Sequence, residues 1–304
     1  MVNEKLRQDW PAPGICEAVH HFIRVQWFLL LQYFFGNWWT RFKPATKTYK
    51  KLLIIGDGVA GGYGDYATCA ESPGLVRHLY RIIAVEPTLR LPWKLINCGL
   101  FGTTSDDWSP ECKAEEDSFR SYGRAFGVVE EARRRCMRPT PKPLWKKVFD
   151  DKRYRDAEVV IVCVGLNDSK YGLLPDDPKS TLNNIKSISE ALLDMKKEVI
   201  LCTIPLRWRL VGGEHAELFT KDYDRNCLIA QYVEERKCPQ LTFGIDFGAR
   251  LFNNPAFYST DAVHLCSAGY KKWASEMREA LVPAMVRVEA RTWKDMLAKH
   301  RKVK

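Results

Sequence analysis

Five short apolar runs are the feature that most constrains how this 304-residue chain can fold. They span Leu52–Ile55, Lys94–Asn97, Glu158–Val164, Glu198–Ile204 and Leu241–Phe247. Segments with helical spacing lie between them, for example Thr181–Lys197 and Tyr223–Lys237. Apolar strands that alternate with helices are typical of a parallel sheet covered on both faces. We therefore expect an α/β fold, a doubly wound α/β/α sandwich around a five-stranded parallel sheet.

Regions outside these runs suggest a division of the chain into three parts. We expect an N-terminal aromatic and basic amphipathic extension, a central domain and a basic C-terminal helical tail, at residues 1–50, 51–285 and 286–304. Residues 110–150 are polar and rich in Arg and Pro, which indicates an insertion in the domain. Residues 268–298 have an amphipathic helical pattern. We expect that helix to break near Pro283, because proline lacks a backbone N–H.

The net charge of +10 is concentrated at the two ends of the chain. Residues 1–51 hold eight Lys/Arg and three acids, and residues 287–304 hold seven and two. The middle of the chain is neutral, whereas a nucleic-acid-binding domain carries its basic face on the fold itself. This distribution argues against a nucleic-acid partner. The basic ends fit anionic lipid, an acidic partner or solvent.

Residues 18–39 form an apolar and aromatic stretch that polar side chains interrupt. Its cleanest part, Val25–Phe35, has eleven residues and is short for a hydrocarbon core of about 30 Å. Interfacial tryptophans and a basic run over residues 41–51 favour a helix lying in a membrane surface. A helix packed on its own domain or on a partner subunit, and a short spanning anchor, remain open. The positive flank follows the apolar run, which is unlike a secretory signal.

The ten cysteines are scattered and form no C-x-x-C pair, so a zinc ribbon or a redox motif is not expected. Cys163 and Cys202 lie in apolar runs, which predicts buried core thiols. This usage favours an intracellular, reducing compartment. With the basic ends, it indicates a protein associated peripherally with a membrane or with a membrane complex. No metal or other cofactor is expected.

A glycine-rich segment follows the first apolar run and has the spacing of a dinucleotide-binding fingerprint, at Gly56, Gly58 and Gly61. That fingerprint needs a helix beginning at the glycines and an acid about 20 residues later. Ser72-Pro73-Gly74 interrupts the following segment early, and Glu86 lies 25 residues after Gly61. Dinucleotide binding is therefore kept as a weaker alternative.

The same segment belongs to a second pattern of four blocks. The first strand ends in Gly-Asp-Gly, at residues 56–58, and Asn97–Ser105 follows the second strand. The third strand ends in Gly-Leu-Asn-Asp, at residues 165–168, and Asp261-Ala-Val-His264 stands before Gly269 and Tyr270 at the start of the last helix. These blocks, in this order on an α/β pattern, resemble the SGNH (GDSL-type) hydrolase family over roughly residues 50–285.

The resemblance implies a set of roles. Members of the family hydrolyse esters and thioesters, often of lipids or acetylated sugars. His264 matches the general base, and Asp261 matches the carboxylate that orients it. Asn167 and the backbone N–H of Gly102 match the oxyanion hole. Asp57 matches the acid of the first block, which in the family is mainly structural.

The chain departs from the family at the nucleophile, because Gly58 stands where the family has serine. Without that hydroxyl no acyl-enzyme forms there. Our leading hypothesis is thus a catalytically degenerate SGNH-like protein that acts as a binding or structural subunit at a membrane surface or in a complex. The alternative is an active ester or lipid hydrolase. It would use water activated by His264, or one of four other candidate nucleophiles: Ser105, Ser259, Cys98 and Cys266.

Overall fold

The computed structural model describes most of the central domain and parts of both ends. It covers positions 19, 23 and 27 and residues 50–65, 74–100, 103–112, 144–168, 177–206, 216–247, 254–259 and 263–303. Two of the candidate site residues, Gly102 and Asp261, lie outside the described residues, as does most of the 110–150 segment.

A single five-stranded parallel sheet forms the centre of the fold. Its strands are β1 (Lys50–Gly56), β2 (Trp93–Asn97), β3 (Val159–Cys163), β4 (Glu198–Leu201) and β5 (Leu241–Phe243). The spatial order is β2-β1-β3-β4-β5, and every neighbouring pair is parallel. This confirms the expected parallel sheet. The order reverses between β1 and β3, and ligands of open α/β sheets bind beyond the carboxyl ends of the strands at such a point.

Helices connect the strands and cover both faces of the sheet. They are α1 (Leu75–Ala84), α2 (Leu144–Phe149), α3 (Lys152–Arg155), α4 (Pro178–Asp194), α5 (Ala216–Arg236) and α6 (Ser267–Val303). Two short 3-10 turns, Asp106–Trp108 and Pro255–Phe257, lie in the loops.

Two apolar cores, one on each face of the sheet, explain why the strands are so continuously apolar. Leu52 and Ile54 pack on one face with residues of α1 and α6. Leu53 and Ile55 pack on the other face with residues of α2, α4 and α5. Successive side chains of a strand point to opposite faces, so a strand covered on both faces needs apolar residues throughout. The expected doubly wound sandwich is therefore confirmed.

Strands β4 and β5 are shorter than the apolar runs that predicted them. Ile204 and Phe247 are buried, but they have left the strand ladder. The N–H of Ile204 donates to the side-chain oxygen of Asn226, 2.8 Å away. The N–H of Phe247 donates to the Thr203 hydroxyl at 2.7 Å. Buried loops at the carboxyl ends of the strands carry the same apolar signal as the strands do.

The break expected near Pro283 is wrong, because α6 runs without interruption from Ser267 to Val303. Pro283 itself is exposed, while Leu281 and Ala284 beside it are buried in the core. Packing on both sides of the proline thus outweighs the lost hydrogen bond. Residue 286, the expected start of the basic tail, lies inside this helix.

Candidate functional site

The carboxyl ends of β1 and β3 are joined through Asp57, the first residue after β1. Its Oδ1 accepts the Val59 N–H at 3.0 Å, and its Oδ2 accepts the Leu166 N–H at 3.1 Å. Its side chain is buried. Asp57 thereby ties the first block to the residue that precedes Asn167.

Gly58 follows directly and is buried. It does not have a positive φ, so its backbone conformation is accessible to residues with a side chain. Its carbonyl accepts the Tyr63 N–H at 2.8 Å in a series of turns that continues to Gly64. The backbone at the nucleophile position is therefore one in which a serine could stand.

The loop after β2 packs directly against the turns of the first block. A side chain at Gly99 would bring its Cβ to 2.3 Å from the Gly61 nitrogen, a distance that no Cβ occupies. The Leu100 N–H donates to the Gly56 carbonyl at 2.9 Å. The contact between the two loops therefore depends on glycine at position 99.

Asn167 lies at the end of the third block and is half-buried. Its Nδ2 donates to the Thr103 carbonyl at 2.8 Å, which fixes the side chain against the loop after β2. An amide carries two N–H donors, and an oxyanion hole needs such a donor held rigidly.

His264 reaches the same edge of the sheet from the loop before α6. Its ring meets the Tyr63 ring edge-on, with 4.4 Å between centroids. Gly64 has φ +93°, and a side chain there would bring its Cβ to 2.9 Å from the His264 Cβ. Gly64 therefore allows the first block and the histidine loop to touch. The structure thus brings Asp57, Gly58, Asn167 and His264 to the same end of the sheet, where the carboxyl ends of the strands lie.

The electrostatics of this edge centre on Asp57. Burial raises the pKa of its carboxyl from 3.8 to about 6. The two N–H groups it accepts and the charge of His264 act in the opposite direction. Because desolvation is the largest of these effects, Asp57 titrates far above the range of an exposed carboxyl.

A buried polar network that sequence reasoning missed lies behind the site. Asp168 accepts the Ser105 hydroxyl at 2.6 Å and the Thr181 hydroxyl at 2.7 Å. Arg225 donates from Nε to Thr181, and Asn184 donates to Ser105. No periodic pattern in the sequence predicts such a network, because its members come from four separate stretches of the chain. The one signal was Asp168 itself, an acid in the loop that follows a buried strand.

This geometry bears on the candidate substitute nucleophiles. The Ser105 hydroxyl is fully buried and its proton points to Asp168, so it is a structural donor. Ser259 is buried, and its backbone N–H donates to the His264 carbonyl. Burial raises the pKa of the Cys98 thiol to about 12, which leaves almost no thiolate at neutral pH. The Cys266 Sγ lies 3.1 Å from the Ala256 carbonyl.

The glycines of the first block do not have the setting of a dinucleotide fingerprint. Turns follow Gly56, and the next described helix begins at Leu75. Glu86 accepts the Thr88 hydroxyl and binds Arg278, so it is committed to contacts within the fold.

Comparisons with known proteins report on the fold. No family model matches the chain, and no curated protein matches it in sequence. Among solved structures, a mutant of the acetyl-xylooligosaccharide esterase Axe2 from Geobacillus stearothermophilus is 20% identical, with a TM-score of 0.51, over 76% of this chain and 93% of that one. A lipase from a goat rumen metagenome is 16% identical, with a TM-score of 0.49, over 76% of this chain and 97% of that one.

A GDSL-like lipase from Bacteroides thetaiotaomicron is also similar, at 16% identity and a TM-score of 0.47, over 81% of this chain and 94% of that one. At these identities the likeness concerns the fold. The described chain shares the fold of the Axe2 esterase, and its activity has to be argued from its own residues.

Proposed function

We propose that this chain, which has an SGNH hydrolase-like fold, is a catalytically degenerate protein that binds an acyl ester at its former catalytic edge. It would act as a binding or structural subunit at a membrane surface or in a complex. The observation that carries the proposal is Gly58, which supplies a backbone but no hydroxyl where the nucleophile belongs.

The groups that remain can hold an ester without attacking it. Asn167 has a second N–H beyond the one given to Thr103, and it can donate to a carbonyl oxygen. His264 can bind or release a proton, but Gly58 gives it no hydroxyl to deprotonate. Loss of the nucleophile in a serine protease costs on the order of 10⁶ in turnover, so we expect binding with negligible hydrolysis.

The test is to supply the missing hydroxyl. We expect Gly58→Ser to hydrolyse short acyl esters at least about a hundredfold faster than the wild type, because its backbone conformation accepts a side chain. Gly58→Ala is the matched control, since it adds the same Cβ without the nucleophile. A fluorophosphonate probe, in which a serine oxygen displaces fluoride from phosphorus, should add mass to Gly58→Ser alone.

The second reading, an active hydrolase, has one observation in its favour. His264 is half-buried rather than sealed, so solvent reaches this residue. This reading predicts ester turnover by the wild type that His264→Ala abolishes, with no labelling by the fluorophosphonate. Such a result would overturn the degenerate reading. An inert wild type together with an active Gly58→Ser would overturn the second.

Membrane association is supported by the described part of the N-terminal extension. Val19, Ile23 and Trp27 are helical, four residues apart and exposed, and this spacing is typical of one apolar helix face, which no described residue covers. Among the described helices, none is both long and apolar enough to cross a bilayer. We also propose an intracellular, reducing compartment, which the seven unpaired cysteines of the described chain support.

A further inference from the structure

Helix α6 runs from the carboxyl ends of the strands, which we call the carboxyl edge, to their amino ends, which we call the amino edge. It begins at Ser267, three residues after His264, at the carboxyl edge. At the other edge, the Glu289 carboxylate accepts the N–H groups of Arg90 and Leu91, just before β2. Arg291 binds Glu198, the first residue of β4. The helix therefore passes the amino ends of the strands near residue 291, and its last turns extend beyond them.

The projecting end carries an apolar stripe, which we define as Val286, Trp293, Met296 and Leu297. Their exposed fractions are 39%, 47%, 37% and 59%. The spacings of seven, ten and eleven residues put these side chains on one side of the helix. All described positions from Trp293 to Arg301 are exposed, so no part of the described chain covers the stripe.

Positive charge accompanies the stripe. Residues 292–304 contain five Lys/Arg and a single acid, Asp295. Arg287 and Arg291, which precede this segment, both form ion pairs with Glu198. Lys294 and Lys299 are exposed and form no ion pair within the described chain. The uncompensated charge of the helix thus lies on the part that leaves the domain.

The N-terminal extension is joined to the domain at the same edge. Strand β1 begins at Lys50, and its N–H donates to the Pro92 carbonyl just before β2. Residues 41–51 contain five Lys/Arg and no acid. The start of β1 and the last turns of α6 therefore lie at the same amino edge, while the candidate site lies at the carboxyl edge.

We propose that the amino edge, through the projecting end of α6, docks on an anionic lipid surface and holds the candidate site facing away from it. An apolar stripe with an interfacial tryptophan and unpaired cations is complementary to such a surface. A second copy of the chain would bring two positive ends together, which disfavours self-association as the use of this face.

This proposal rests on the proposed function and restricts the class of ligand that the candidate site can bind. From Ser267 to Arg291 the helix rises by about 36 Å, at about 1.5 Å per residue. An amphipathic helix enters a bilayer by only about 5–10 Å. In the proposed orientation, with the amino edge toward the membrane, a lipid in that membrane stays out of reach of His264, and the ligand class becomes a water-soluble acyl ester.

The docking face is tested with the full chain and vesicles of phosphatidylcholine, with and without phosphatidylserine. We expect binding that needs phosphatidylserine and weakens with salt. Leu297→Glu should lower the affinity at least tenfold, because it adds a charge to the stripe. Ala298→Glu is the matched control: it is exposed, off the stripe, and each new Glu has a basic residue four positions later. It should cost about fivefold or less.

Three outcomes would overturn the docking face: no vesicle binding, equal binding to neutral vesicles, or equal loss in the two variants. A dimer in light scattering that Leu297→Glu dissociates would assign the stripe to a second copy instead. Salt-sensitive capture by an acidic polypeptide, with no vesicle binding, would assign it to a protein partner.

The orientation is tested by hydrogen exchange on the same vesicles. Peptides that cover residues 286–301 should be protected on binding, and peptides that cover 57–65 and 263–270 should be unchanged. Protection at the carboxyl edge would overturn the orientation. Gly58→Ser should hydrolyse a soluble ester equally well with and without vesicles, and should spare an ester embedded in them. If Gly58→Ser is inert while docking holds, the proposed function fails and the docking stands.

Discussion

Two pairs of carboxylates, one at each edge of the sheet, are held in different ways. At the carboxyl edge, Asp57 and Asp168 are buried and accept hydrogen bonds from neutral backbone N–H and hydroxyl groups. At the amino edge, Asp156 and Glu158 face Lys51 and Lys50 directly, at 2.6 and 2.9 Å. Asp57 and Asp168 thus rely on neutral dipoles in a buried setting, which for Asp57 do not fully offset desolvation, whereas Asp156 and Glu158 have opposite charges beside them.

This difference indicates which end of the sheet has the setting that catalysis or ligand binding requires. Neutral donors in a buried setting stabilise an anion without cancelling it, and they leave its pKa open to large shifts. Surface ion pairs cancel their charges and are screened by salt. The carboxyl edge therefore has the electrostatic setting that the proposed ester site requires. The following predictions test that comparison, beginning with the largest effect.

Removing Asp168 should cost the most stability. Asp168→Ala leaves the Ser105 N–H and two hydroxyl groups unpaired in a fully buried place. We expect the free energy of unfolding to fall by about 3–5 kcal/mol, measured by urea denaturation. Asp168→Asn keeps one acceptor and should recover part of the loss. A loss below about 1 kcal/mol for the alanine variant would contradict a buried, dipole-stabilised carboxylate.

Asp57 should make stability fall as the pH rises. Its pKa is near 3.8 in the unfolded chain and about 6 in the folded protein, so the folded state binds its proton more tightly. This contribution is fully present below about pH 4 and is lost as the pH rises through about 6. It amounts to at most about 3 kcal/mol. The measurement is the difference in unfolding free energy between wild type and Asp57→Asn across that range, and a flat difference would contradict the shifted pKa.

Separating the two loops of the site should have a smaller effect. Gly99→Ala forces a Cβ against the Gly61 backbone, and we expect a loss of about 2 kcal/mol in thermal or urea unfolding. Gly61→Ala is the control, because its nearest contact, the Gly99 carbonyl, would be 3.2 Å away and needs only a small shift. Equal losses in the two variants would mean that the close approach at position 99 is not what constrains the loops.

The amino edge should tolerate the loss of one charge. The Asp156 side chain is 62% exposed, so the attraction to Lys51 is screened by solvent. Asp156→Asn should lower the unfolding free energy by about 0.5 kcal/mol, and by less at high salt. A loss as large as that of Asp168→Ala would remove the contrast between the two edges.

Much of the fold was predictable because burial on both faces of a sheet requires apolar strands. The five runs located all five strands, and the runs ending at Ile204 and Phe247 continued into buried loops. The buried thiols at Cys163 and Cys202 were also predictable, and both are fully buried. The continuous helix through Pro283 was not, because tertiary packing on either side decides it.

The sequence predicts the position of a candidate site residue when that residue lies in a loop directly after a strand, because such loops lie at the carboxyl edge. Asp57, Gly58 and Asn167 are of this kind. The contacts that hold the site were not predictable. Tyr63 against His264, and Asp168 with Thr181 and Arg225, join positions far apart in sequence, and their side-chain types have no periodic pattern.

The position of α6 after all five strands has a consequence for synthesis on the ribosome. This helix supplies a large part of the core on one face of the sheet, including Tyr270, Trp273, Met277 and Leu281. All five strands are made before it, so one apolar face stays open to water until the last helix emerges. During that interval the nascent chain is exposed to chaperones and to aggregation, and the face closes only once α6 can pack on it.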